Sequence, residues 1–98
     1  MNRQFKTKPD HKQSQEIQSF YEPVLVMLNN MYQVKRGNLE RRGYPADNAA
    51  VTKEELAQQM AYCLKITIWL AHQVIASLVK ADQVISFGGY LKPKVGEL

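Results

Sequence analysis

Cysteine, histidine and paired carboxylates are the residue types from which a small chain builds a nucleophile, a metal site or an acid–base pair. This chain has few of them: Cys63, His11, His72 and the adjacent Glu54 and Glu55. Neither histidine has a second ligand at metal-binding spacing, so no metal site is expected. Cys63 shares a helical spacing with Leu56, Met60 and Leu64 and reads as a small buried hydrophobe rather than a reactive thiol. Glu54 and Glu55 fall in a first helical turn, where carboxylates offset the helix dipole without any catalytic duty. The stretch "RGNLERRG" at 36–43 is not a phosphate loop, because no glycine-rich turn leads into a Lys-Ser/Thr helix. No enzyme and no cofactor are expected.

Binding chemistry has more to work with. The 98 residues carry a formal charge of +4 and an isoelectric point near 9.3, which permits an anionic partner. The charge is unevenly placed. Arg3, Lys6, Lys8 and Lys12 stand against Asp10 alone, and Lys35, Arg36, Arg41 and Arg42 against Glu40 and Asp47. Residues 52–98 hold five lysines and four acids and are close to neutral. Composition is that of one ordinary globular domain, 45% hydrophobic and 22% charged. No apolar run is long enough for a membrane span, since Lys65 and His72 interrupt the best candidate. With a polar, basic N-terminus and a single cysteine, the chain is expected to be soluble and cytoplasmic.

The elements that must position these groups follow from spacing. Residues 1–13 read as a flexible basic arm and 14–98 as a single domain. From Ser14 the apolar residues Ile17, Phe20, Tyr21, Val24, Leu28, Met31 and Tyr32 follow helical steps. Pro23 at the first position of a helix over roughly 23–34 accounts for the interruption, with Gly37 and "GYPADN" marking its exit and a loop of about a dozen residues. In "VTKEEL", 51–56, Thr52 and Glu55 form a capping box, while Val51 and Leu56 match a hydrophobic staple. A helix therefore starts at Lys53. The apolar phase would allow one helix to run to residue 80, but the β-branched run at 66–68 and Thr67 as an N-cap favour a second helix over 68–80. Val84, Ile85, Phe87, Tyr90 and Leu91 then read as a β-hairpin, with Gly88 and Gly89 supplying positive φ angles and Pro93 limiting the second strand. The fold class is mainly α with a C-terminal β-hairpin.

This order, a helix, a capped helix, a tight turn, a second helix and a hairpin, resembles the winged helix-turn-helix superfamily over about 51–94. In that family a stretch like "TKEELAQQMAYCLKIT" forms the second helix and turn. One like "TIWLAHQVIASLVKADQVI" forms the recognition helix leading into the first wing strand, and "ISFGGYLKPK" would be the wing. Where the family often has glycines, in the turn and after the recognition helix, this chain has Lys65 and Asp82.

The resemblance implies a DNA-binding protein, a transcriptional regulator acting as a homodimer on double-stranded DNA. With Leu70, Ala71, Val74, Ile75 and Leu78 turned inward, the outward stripe of the last helix is Trp69, His72, Gln73, Ala76 and Lys80. Glutamine can pair with adenine, and histidine with a base edge or phosphate. Phosphate contacts would come from Lys53, Lys65, Lys80, Lys92 and Lys94, or from the arm and the segment with Lys35, Arg36, Arg41 and Arg42, which reads either as a solvated loop or as a phosphate-contacting stretch. A competing reading is a winged-helix protein-interaction module: an adaptor, a small subunit of a complex, or an inhibitor encoded by a phage or plasmid. Trp69, beside Ile68 and Tyr62, suits a protein hot spot better than a base-reading helix. The bland reading of Trp69, packed under the arm or the N-terminal helix, stands beside both.

Overall fold

A computed structural model of the chain describes residues 11–94, with side chains from Gln15 onward. Residues 1–10, which hold most of the expected arm, lie outside that range. The first helix, α1, runs His11–Ser19, and a one-residue junction at Phe20 leads into α2, Tyr21–Arg41. A short 3-10 turn, Ala46–Asn48, precedes strand β1, Val51–Thr52. Helices α3, Lys53–Leu64, and α4, Ile68–Lys80, follow, and then strands β2, Val84–Phe87, and β3, Tyr90–Pro93. The chain is mainly helical, with a small antiparallel sheet of order β1-β3-β2.

Helix α2 is longer than its expected 23–34 at both ends. Phe20 is the N-cap, so Pro23 sits at the third helical position rather than the first. The first four N–H groups of any helix lack an intrahelical partner, so a proline costs little there. Gly37 does not stop the helix. The stop is Gly43, at φ +83, where the N–H of Gly43 bonds to Glu40 O and that of Tyr44 to Leu39 O. This pair of bonds is the Schellman arrangement, which needs a left-handed residue after the cap.

Both expected N-caps are present. Glu55 N–H donates to Thr52 Oγ1 and Thr52 N–H to Glu55 Oε1, each at 3.0 Å, and Leu70 N–H donates to Thr67 Oγ1 at 3.0 Å. Residues 53–80 are therefore two helices. Between them Lys65 takes the left-handed conformation, φ +58, and after α4 Asp82 does the same at φ +61. Asp82 N–H to Val79 O and Gln83 N–H to Leu78 O repeat the bonding that ends α2.

The core joins Val24, Leu28 and Tyr32 of α2 to Leu56, Ala57 and Met60 of α3 and to Ala71, Val74, Ile75 and Leu78 of α4. Val51, Val84 and Leu91 close it from the sheet. Two expectations need correction here. Cys63 is exposed rather than buried, because the buried face of α3 centres on Leu56, Ala57 and Met60 and leaves Cys63 at its margin. In the hairpin only Gly88 has positive φ, at +60, with Gly89 outside that region. That is the pattern of a type II′ turn, which needs glycine at its first central position alone. The hairpin also gains a partner that spacing did not reveal. Two-residue β1 pairs with β3 through Val51 opposite Leu91 and Thr52 opposite Tyr90, and Lys53 N–H donates to Gly89 O at 2.9 Å.

Candidate nucleic-acid interface

The residues singled out for binding fall into two groups set by different elements. Amphipathic α4 turns Ala71, Val74, Ile75 and Leu78 into the core, and its opposite face therefore carries Trp69, His72, Gln73, Ala76 and Lys80. Lys65, fixed in the left-handed turn, stands at one end of that face and Lys80 at the other. A 13-residue helix is about 20 Å long. Both ammonium groups are exposed, and neither forms an ion pair among the described residues. Lys65 Nζ lies 6.0 Å from the centre of the Tyr62 ring.

His72 and Gln73 are half-buried. His72 Nε2 lies 3.5 Å from Glu54 Oε1 on α3, a pair that carries opposite charges only when the imidazole is protonated. Trp69 is 63% exposed, so the described residues do not cover it. Tyr62 and Ile68 are exposed with it, flanking the α3–α4 turn.

The second group lies where the C-terminal half of α2 meets the start of α3 and the sheet. Here several of the cations are engaged. Lys35 Nζ donates to Glu55 Oε2 at 2.9 Å, and Arg36 lies 3.7 Å from Asp47. Arg41 donates to the side chain of Asn38. Lys92 donates to the backbone carbonyl of Asp47 at 2.8 Å and sits 5.7 Å from the Phe87 ring centre. Lys94 lies apart from this corner, beside Glu22, Leu25 and Val26 at the N-terminal half of α2, and pairs with Asp82 at 2.9 Å. Arg42, the C-cap of α2, is exposed without an ion pair among the described residues. It borders a shallow cleft of about 260 Å³ together with Lys35, Asn38 and Asn48.

The Lys35 ammonium, then the Thr52 N–H, hold the Glu55 carboxyl below its ordinary value, against a smaller opposing effect of burial. Glu55 thus serves the capping box and the ion pair together. Of the acids that meet these cations, Asp47 belongs to the same 33–51 segment, while Glu55 on α3 and Asp82 after α4 come from other parts of the chain. A count of charge along 33–51 includes Asp47 but misses Glu55 and Asp82.

No protein-family model, no curated protein and no solved structure matches the chain. No helix among the described residues is long and apolar enough to cross a membrane.

Proposed function

We propose that the chain is a winged helix-turn-helix module that binds double-stranded DNA, with α4 as the recognition helix. The supporting observation is the outward face of α4. It offers hydrogen-bonding side chains, His72 and Gln73, and is bracketed by the exposed, unpaired cations Lys65 and Lys80. A helix laid in the major groove needs that division, with base-edge groups in the middle and phosphate contacts at the ends. The sheet order β1-β3-β2 and the three-residue connection between α3 and α4 agree with a winged-helix arrangement. So do the left-handed Lys65 and Asp82, which adopt the backbone for which the family often uses glycine. With Lys94 paired to Asp82 and Lys92 held by Asp47, the wing is a weaker phosphate contact than its sequence suggests.

Fluorescence anisotropy on a mixed-sequence duplex, from low to physiological salt, tests this reading. Two phosphate contacts, from Lys65 and Lys80, contribute a slope of about −1.8 to log affinity against log salt. Residues outside the described range can add to it.

A second reading, a protein-interaction module, is favoured by the exposure of Tyr62, Ile68 and Trp69 around the α3–α4 turn. Large apolar side chains clustered this way suit a hot spot for a protein partner. No duplex binding at low salt, with partner capture lost in Trp69→Ala, is the result that selects it.

A further inference from the structure

We propose that strand β2 is the seam of a homodimer, pairing antiparallel with β2 of a second copy about a two-fold axis to form one six-stranded sheet. In the order β1-β3-β2, strand β2 is bonded, among the described residues, to β3 on one side only, through Val84 opposite Pro93 to Phe87 opposite Tyr90. In an antiparallel ladder alternate residues turn their N–H and C=O away from the neighbour, so half of those groups in β2 face outward. Soluble proteins protect such an edge with charge, proline, a bulge or a covering element. Strand β2 reads Val-Ile-Ser-Phe, with no charge and no proline, and residues 83–91 contain no charged residue at all.

The occupant follows from symmetry and charge. A two-fold seam sets like against like, so a charged strand would repel itself, and an uncharged one suits a second copy. Antiparallel pairing also requires opposed residues to share a face. Strand residues alternate between faces, so the axis must pass through a residue pair rather than between two. In a two-residue hairpin the pair flanking the turn, Phe87 and Tyr90, bonds across it, which leaves Ser86 with its backbone groups on the open edge. Centring the axis there places Ser86 opposite Ser86 of the second copy, and Ile85 opposite the second copy's Phe87.

Ile85 and Phe87 are 40% and 45% exposed, and both lie on the outer face of the sheet. Across the seam they form two pairs of a β-branched and an aromatic side chain, the kind that stabilises antiparallel sheets. The Phe87 ring is already stacked on Tyr90 at 5.8 Å, so each row would continue into the next strand. A four-residue edge buries less than a permanent dimer requires, and the association belongs to the weak, concentration-dependent class.

Sedimentation velocity over a wide concentration range tests the seam, with Ile85→Lys and Ser86→Pro as variants and circular dichroism as the check on folding. The expected result is a monomer–dimer equilibrium that shifts to monomer in both variants. The register has its own test in Ser86→Cys on a Cys63→Ser background. Opposed residues of a bonded antiparallel pair have Cα atoms about 5.5 Å apart, within disulfide reach. Mild oxidation should therefore trap a covalent dimer, and this readout survives even if the lysine and proline variants unfold. A chain that stays monomeric and uncross-linked at every concentration overturns the proposal. So does a dimer that persists in both folded variants, which would lie on another surface.

Discussion

The corner where α2 meets α3 and the outward face of α4 both carry basic residues, but they differ in how far acids compensate them. At the corner, Lys35, Arg36 and Lys92 are held by Glu55, Asp47 and the Asp47 carbonyl. On α4, Lys65 and Lys80 have no acid partner among the described residues. The corner is the denser in the sequence, and in the fold acids engage Lys35 and Arg36 while Arg41 and Arg42 have no acid partner among the described residues. Positive charge marks a binding surface only where the fold leaves it uncompensated, and most surface pairs add only about 0–1 kcal/mol to stability.

The contrast requires that the outward face of α4 carry little of the fold, while the inward face carries much. Leu78→Ala should cost about 2–5 kcal/mol in chemical denaturation, through lost burial and the cavity left behind. Trp69→Ala should change stability by no more than about 0.5 kcal/mol. A large loss from Trp69→Ala would mean that the face is core and the contrast false. At the corner, Thr52→Ala removes the acceptor for the Glu55 N–H and should cost about 1 kcal/mol.

Lys65 separates the two roles most cleanly, because its backbone and its charge pull in opposite directions. Left-handed φ costs an ordinary residue about 1–2 kcal/mol, part of which glycine returns in unfolded-chain entropy. Lys65→Gly should therefore raise stability by about 0.5 kcal/mol and weaken duplex binding in the same protein. Asp82→Gly should gain less, since aspartate tolerates this conformation better and the change also releases Lys94.

The smallest effect is the corner's pH dependence. The folded-state pKa of Glu55 is lowered from its ordinary 4.5, so its stabilisation is present above that value and lost as pH falls through the folded pKa. Glu55→Gln should flatten the acid limb of the stability curve below about pH 4.5 and leave the alkaline limb unchanged.

The helical half of this fold was legible where side chains act locally. Thr52 with Glu55, and Thr67 before Leu70, are caps that work through neighbours three residues away, and both formed as expected. What depends on distant partners was not legible. Two-residue β1 is a strand only because β3 lies beside it. Of two candidate stops for α2, Gly37 and Gly43, only the second takes the left-handed backbone that ends a helix. Lys65 and Asp82 stand where glycine would have announced a turn, and the backbone adopts the turn regardless. Among the candidate site residues, spacing alone placed the stripe from Trp69 to Lys80 on the outer face of α4. Nothing in the spacing marked Lys35, Arg36, Lys92 and Lys94 as engaged, because their partners are 11 to 45 residues away in the chain.

The most direct measurement compares salt dependence of duplex binding in two double variants, Lys65→Gln with Lys80→Gln and Lys35→Gln with Arg36→Gln, against the unaltered chain. Removing two phosphate contacts should reduce the slope of log affinity against log salt by about 1.8. That reduction is expected for the α4 pair, with no change for the corner pair. The reverse pattern would place the interface at the corner, and an absence of binding at low salt would contradict the nucleic-acid reading itself.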